Sequence, residues 1–187
     1  MSLEKFKKSL QKVPVIKKGD YSYIVHPITD GIPEIKPELL REVTSEMKKH
    51  IKKCGPIDKI VTIEAMGIPL ATALSLDMNI PFTIIRKRKY GLPGEVSVEQ
   101  VTGYSKSKLY INGLQKGENV VIVDDIVSTG GTLKAVLSVL KDMGVNVIGV
   151  VVAVDKGDCG EEVDKEFDVQ IMALIKMDIN DDDIRIT

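Results

Sequence analysis

A stretch of thirteen residues, 120–132, combines two kinds of chemistry. Residues 120–123 form an apolar run, Asp124 and Asp125 follow it, and only small residues occupy 128–132. Small residues allow successive backbone N–H groups to point inward at the start of a helix, where the helix dipole also favours an anion. A phosphate monoester is therefore predicted to bind the small-residue loop, which consists of Ser128, Thr129, Gly130, Gly131 and Thr132.

The two adjacent carboxylates need partners other than that phosphate. Because like charges repel, Asp124 and Asp125 are expected to face hydroxyl donors or positive charge. A ribose 5-phosphate offers both, since its 2- and 3-hydroxyls would donate to the acids and a developing oxocarbenium ion would be stabilised by them. Both acids are therefore predicted to be catalytic. The alternative is an ordinary strand, turn and helix, with Ser128 or Thr129 as the N-cap.

The elements that must position these residues follow from hydrophobic periodicity. Strands are predicted at 21–27, 60–64, 82–87, 120–124, 145–155 and 169–175, and helices at 1–12, 37–55, 69–77 and 133–143. Continuous apolar strands that alternate with helices predict an α/β fold with a mostly parallel sheet. In such a sheet the strand-to-helix loops share one edge, so the polar residues after the strands should converge on one cleft.

The segment 120–132 also resembles the signature of the phosphoribosyltransferases, which transfer the phosphoribosyl group of 5-phosphoribosyl 1-pyrophosphate (PRPP) to a nitrogen nucleophile. The resemblance implies the type I fold of that family, with a small hood over the base site and a flexible flap. Residues 64–67 stand where the family has its diphosphate loop, so Ala65, Met66 and Gly67 are expected to hold diphosphate. A plain turn before a helix at Pro69 is the alternative.

Four cations at 86–89 resemble the segment that leads into the family's flap. Arg86, Lys87 and Lys89 could neutralise a leaving diphosphate, although a solvated loop is the alternative. The insertion 86–117 is predicted to be a mobile flap because it is long and contains several glycines. The resemblance places Tyr104 over the ribosyl phosphate. It leaves the acid that assists the base unassigned, since adenine-specific relatives carry glutamate where Gly103 stands.

Two residues are candidates for contact with the base. Lys156 follows the strand that ends at Asp155, where its ammonium could donate to the carbonyl of a 6-oxopurine; an exposed turn lysine is the alternative. Residues 23–33, the hood segment, resemble archaeal-type hypoxanthine phosphoribosyltransferases, which implies that His26 lies near the purine. A lone histidine is more often a structural hydrogen-bonder. The resemblance implies hypoxanthine or guanine as acceptor; an adenine or xanthine enzyme and a PRPP-sensing regulator are the alternatives.

Composition supports a single domain. The chain has 187 residues, with 26 basic and 27 acidic side chains, and its near-zero charge argues against nucleic-acid binding. The expected parts are an N-terminal helix and hood (1–57), a PRPP-binding core with the flap (58–155), and a last strand and tail (156–187). No apolar run reaches the ~20 residues of a membrane helix, and two distant cysteines suit the cytoplasm. The resemblance implies a homodimer and Mg²⁺ held mainly by substrate near Asp124 and Asp125.

Overall fold

The computed structural model describes residues 3–11, 13–18, 21–102, 105–157, 159–180 and 183–187. The helices are α1 (Glu4–Leu10), α2 (Pro27–Asp30), α3 (Pro37–Ile51), α4 (Gly67–Met78), α5 (Gly131–Asp142) and α6 (Cys159–Phe167). The strands are β1 (Val15–Lys18), β2 (Tyr21–Ile24), β3 (Lys59–Ile63), β4 (Phe82–Ile85), β5 (Val96–Thr102), β6 (Ser105–Ile111), β7 (Asn119–Val127), β8 (Asn146–Lys156), β9 (Ile171–Asn180) and β10 (Asp183–Ile186).

The main sheet of the described residues has the strand order β10-β9-β8-β7-β3-β4. Every neighbouring pair from β9 to β4 is parallel, and only the pairing of β10 with β9 is antiparallel. The predicted α/β fold with a mostly parallel sheet is confirmed. The carboxyl ends of β3, β7 and β8 therefore lie at the same edge of the sheet. The polar loops of the sequence follow these ends.

Both faces of the sheet are covered, which explains the uninterrupted apolar strands. In β7, Val121 and Val123 pack into the core that includes α3 and α4, whereas Val120 and Ile122 pack into the core that includes α5. All four side chains are fully buried. A strand that alternates between two dry layers stays apolar from Val120 to Val123, and its first acid, Asp124, lies near its carboxyl end.

The insertion at 86–117 contains a β-hairpin that the sequence did not predict. Strands β5 and β6 pair as an antiparallel hairpin, and its base is part of the core under α5. Val98, Leu109 and Ile111 are buried there, and Arg86 pairs with Tyr110 through two backbone hydrogen bonds. Alternate apolar residues therefore anchor the base of this charged hairpin, and its movement as a flap stays a prediction.

The C-terminal part also differs from the expected tail. Asp183 begins an edge strand, β10, that pairs with β9. None of the helices in the described ranges combines the length and apolar character needed to cross a bilayer.

Candidate active site

Two adjacent cavities lie at the carboxyl edge of the sheet. The first, here called the hood cavity, has a volume of about 150 Å³ and is lined by Tyr23, Ile24, Thr29, Asp30, Ile126, Ser128, Lys156 and Met177. The second, the loop cavity, has a volume of about 70 Å³ and is lined by residues 126–132. Ile126 and Ser128 line both, so the two cavities share a wall.

The small-residue loop leads directly into α5. Gly130 is the N-cap residue and has a left-handed φ of 70°, and no side chain caps the helix from that position. The alternative in which Ser128 or Thr129 caps the helix is therefore wrong. The first amides of a helix have no intrahelical acceptor and the helix dipole favours negative charge, so the start of α5 suits an anion in the loop cavity. Behind the loop, the thiol of Cys159 donates to the carbonyl of Ser128.

The two acids lie near the carboxyl end of β7. Asp125 is only 8% exposed, and Asp124 is half-buried and accepts the backbone N–H of Asp125 at 3.0 Å. Burial raises the pKa of both carboxyls, and the charges of Asp124 and then Asp30 raise that of Asp125 further. Neither acid forms an ion pair with any residue that the structure describes. The pair is therefore suited to receive donors or positive charge from a ligand.

Residues 64–67 pack against the acids. A Cβ on Gly67 would lie 2.1 Å from Oγ1 of Thr62 and 2.7 Å from Oδ1 of Asp124, so only glycine fits there. The Thr62 hydroxyl is buried and has no hydrogen-bond partner in the described part of the chain. The Glu64–Ala65 peptide is cis, and α4 begins at Gly67. The start of a second helix therefore faces the same edge.

Met66 precedes α4 and contacts the hood segment. Its Cε would lie 3.6 Å from a Cβ placed on Gly31, which is an ordinary packing distance. The hood segment and residues 64–67 are thus in contact.

The predicted cations separate into two groups. Arg86 donates from Nε to Glu64 at 2.9 Å, and the Lys87 N–H donates to the same carboxylate oxygen at 3.0 Å. These contacts hold the pKa of Glu64 below its usual range and fix the guanidinium beside residues 64–67. The Lys87 side chain is exposed. Lys89 lines a separate cavity with Glu95, Ser97, Lys108 and Tyr110, so the structure does not bring it to this edge.

His26 does not line the hood cavity. Its side chain is 0% exposed, and Nδ1 accepts the Ile28 N–H at 3.0 Å, which leaves Nε2–H to donate to Ser9 at 2.9 Å. The Phe6 ring packs at 5.6 Å, and burial lowers the pKa of His26 to about 4. The prediction that His26 contacts the base was wrong: this histidine is the N-cap of α2 and anchors the hood segment to α1.

Lys156 is the last residue of β8 and lines the hood cavity, as its position after a strand predicted. The preceding Asp155 is buried and accepts the Gly160 N–H, which fixes the turn into α6. Met177 of β9 is the register partner of Lys156 and lines the same cavity. The flap candidate Tyr104 lies outside the described residues.

Comparison with known proteins identifies the family. A family model described as a phosphoribosyl transferase domain matches residues 34–180. The chain belongs to the phosphoribosyltransferase family. Relatives named hypoxanthine/guanine phosphoribosyltransferase include one from Methanothermus fervidus, 50% identical over 98% of this chain and 97% of that protein. Another, from Methanocaldococcus infernus, is 53% identical over 95% and 96%, respectively.

Solved phosphoribosyltransferase structures share the fold. The adenine phosphoribosyltransferase of Saccharomyces cerevisiae has a TM-score of 0.75 at 21% identity, covering 92% of this chain and 98% of that one. The APRTase of Giardia lamblia has a TM-score of 0.75 at 21% identity, covering 94% and 98%. The predicted type I phosphoribosyltransferase fold is confirmed.

Sequence reasoning missed several residues of this phosphoribosyltransferase that line the hood cavity. Ile126 stands inside the motif, but an apolar residue beside two acids gives no sequence signal for ligand contact. Met177 lies at the carboxyl end of β9, a position that the sheet-edge rule covers once β9 is extended past 175. Asp30 and Thr29 gave no signal, because only the fold of the hood segment brings them to the sheet.

Proposed function

We propose that this protein is a purine salvage enzyme that transfers the 5-phosphoribosyl group of PRPP to hypoxanthine or guanine, giving IMP or GMP and diphosphate. The observation that carries this function is the shared wall between the loop cavity and the hood cavity, which contains Lys156. A phosphoribosyl group joins a phosphate to a base across one sugar ring, and two adjoining sites of these kinds suit that ligand. The names of the relatives support the same substrates.

Each part of PRPP has a proposed place. The 5-phosphate binds the small-residue loop at the start of α5, where amides and the helix dipole favour an anion. The diphosphate binds Ala65, Met66 and Gly67, with Arg86 held beside them by Glu64. The sugar lies across Asp124 and Asp125, which accept its hydroxyls and stabilise the positive charge that develops on the ring.

Mg²⁺ fits the acids at the end of β7. Among the described residues, no three His, Cys, Asp or Glu side chains lie close enough to hold a metal ion by themselves. The buried pair Asp124 and Asp125 carries like charges that a nearby cation would offset. Oxygens of PRPP would therefore supply most ligands, with the ion close to these acids, and bound Mg²⁺ would neutralise charge on the leaving diphosphate.

Lys156 supports a 6-oxopurine rather than adenine. An ammonium only donates, so it matches the carbonyl oxygen of hypoxanthine or guanine. Adenine presents an amino donor at that position, and an unmatched buried donor costs about 1–3 kcal/mol. The hood cavity is otherwise lined mainly by apolar side chains, which suit a flat aromatic base.

The decisive experiment supplies PRPP, Mg²⁺ and an equimolar mixture of hypoxanthine, guanine, xanthine and adenine, and quantifies the nucleotides by chromatography. IMP and GMP are expected to dominate. Asp125→Asn is the matched inactive control, because it removes the carboxyl group at the sugar and leaves the hood cavity lining intact. Predominant AMP or XMP would refute the proposed bases, and no nucleotide at all would refute the transferase activity.

The proposal includes a cytoplasmic homodimer. Both cysteines are free thiols, which fits a reducing compartment. The dimer is proposed from the family resemblance, and light scattering coupled to gel filtration tests it: a mass near twice 20.6 kDa is expected.

A further inference from the structure

The hood cavity contains a carboxylate that has no role so far. Asp30 ends α2, and its Oδ2 accepts the His26 backbone N–H at 2.9 Å and the Thr29 hydroxyl at 2.5 Å. Its Oδ1 takes no hydrogen bond from the part of the chain that the structure describes. Since His26 is itself fixed by both ring nitrogens, the Asp30 carboxylate is held at the cavity wall with one oxygen available.

Asp30 and Lys156 are the two charged side chains of the cavity lining. They have opposite hydrogen-bonding requirements, because an ammonium only donates and an ionised carboxylate only accepts. A 6-oxopurine meets both: its carbonyl oxygen accepts, and its ring N–H groups donate. Lys156 is placed at the carbonyl, so Asp30 must face an N–H group.

The position of Asp30 indicates which N–H group it faces. Besides burial and the neighbouring Asp124, the charge of Asp30 contributes to the raised pKa of Asp125, so the two carboxylates lie near each other. Asp125 is the proposed sugar-facing acid, and α2 packs against β7. Asp30 is therefore on the sugar side of the cavity. The ring of a purine that lies on that side is the imidazole, which forms the new bond to the sugar.

We propose that Asp30 is the general base that accepts the imidazole proton of the purine during transfer. This inference rests on the proposed function. The N9 lone pair forms the bond to C1 of the ribosyl group, and the C1–O bond to diphosphate breaks with its electron pair leaving on diphosphate. The imidazole N–H proton moves to Oδ1 of Asp30, which releases it to water after the nucleotide departs.

Asp30→Asn tests the proposal, with two acceptor bases. With hypoxanthine, kcat should fall by about 10²–10⁴, the usual contribution of a general base, with little change in the KM for PRPP. With 8-azahypoxanthine, whose additional ring nitrogen makes the N–H more acidic, the loss should be at least about tenfold smaller, because less assistance is needed. A merely structural role would reduce both activities equally. Glu34→Gln is the control, since Glu34 is an exposed acid that directly follows the hood segment.

Two results would overturn the assignment: equal losses with both bases, or a kcat within twofold of wild type. Folding of the variant is checked by its PRPP-induced rise in Tm. If Asp30→Asn does not fold, Asp30→Ser retains an acceptor for the His26 N–H and gives the same comparison. If the wild-type protein converts hypoxanthine and only the analogue effect is missing, this inference fails alone. If wild type converts no 6-oxopurine, the proposed function fails.

Discussion

The loop cavity and the hood cavity lie side by side but are built in opposite ways. The loop cavity is formed by seven consecutive residues, 126–132, and offers mainly backbone amides. The hood cavity takes its lining from the N-terminal segment, β7, β8 and β9, and offers side chains. A site made of contiguous backbone is visible in the sequence as a motif. A site assembled from distant segments is visible only after folding.

The difference also separates two kinds of recognition. Backbone amides at a helix start recognise a phosphate whatever is attached to it. Side chains with fixed donor and acceptor character distinguish one base from another. Variants at the loop cavity should therefore change the use of PRPP with every base, and variants at the hood cavity should change the choice of base.

Of the variants that compare the two cavities, the largest effect is expected at the sugar, where the cavities meet. Asp125→Asn should lower kcat by about 10²–10³, equivalent to 2.7–4 kcal/mol, because it removes a carboxylate that bound Mg²⁺ and the developing cation would hold ionised. Activity with hypoxanthine and with guanine should fall by the same factor. Initial-rate assays with both bases measure this. Asp142→Asn, at an exposed carboxyl of α5, is the control, and near-normal turnover of Asp125→Asn would contradict the catalytic role.

Lys156→Gln tests whether the hood cavity selects the base. Loss of the ammonium should reduce kcat/KM for hypoxanthine relative to adenine by about tenfold or more, corresponding to 1–3 kcal/mol, because the donor to the carbonyl is weakened. The KM for PRPP should stay within twofold of wild type. Lys165→Gln, at an exposed lysine of α6, is the comparison variant. Unchanged base selectivity would show that Lys156 is an ordinary turn residue.

Gly130→Ala probes the loop side. The left-handed φ of 70° disfavours any side chain by about 1–2 kcal/mol, and the new Cβ would lie 3.1 Å from Cγ2 of Val163. The KM for PRPP should rise several-fold with every base, while the ratio of hypoxanthine to guanine use should not change. Gly117→Ala carries the same backbone penalty in open space, so it should leave the KM unaltered. A change in base preference in Gly130→Ala would contradict the proposal that the loop cavity binds phosphate and the hood cavity selects the base.

The smallest effect concerns stability. The folded-state pKa of Asp125 lies above its unfolded value of about 3.9, so the folded protein holds a proton that the unfolded chain releases. Stability from this group is therefore lost as pH rises above about 4. Asp125→Asn should stabilise ligand-free protein more at pH 8 than at pH 4, by on the order of 1 kcal/mol. Urea unfolding at both pH values measures this; a pH-independent difference would argue against a strained pair.

The core strands and helices were predicted well because hydrophobic periodicity depends only on residues close together in the chain. The uninterrupted apolar runs of β7 and β8 can be stable only between two helical layers, and Pro37 marks the start of α3 as expected. The β5–β6 hairpin was missed although Val96 and Val98 alternate with polar residues in a strand-like pattern. Its length and glycines were interpreted as a mobile flap without regular strands.

The same limit explains the outcome for the hood segment. His26 was recognised as a chemically capable residue, but its partners Ser9 and Phe6 come from α1, and their contact depends on how α1 docks. Asp30 has no distinguishing neighbours in sequence. Asp30 lies near Asp125 because the hood segment folds back over the sheet. Hydrophobic periodicity does not predict such a long-range contact.

The wall that Ile126 and Ser128 give to both cavities has a consequence for turnover. A nucleotide product spans the two half-sites as one molecule, so its second half binds at a high effective concentration once the first is seated. The product should therefore bind more tightly than free base or inorganic phosphate does alone. We expect its departure to be slow, and IMP to compete with PRPP for the unliganded enzyme.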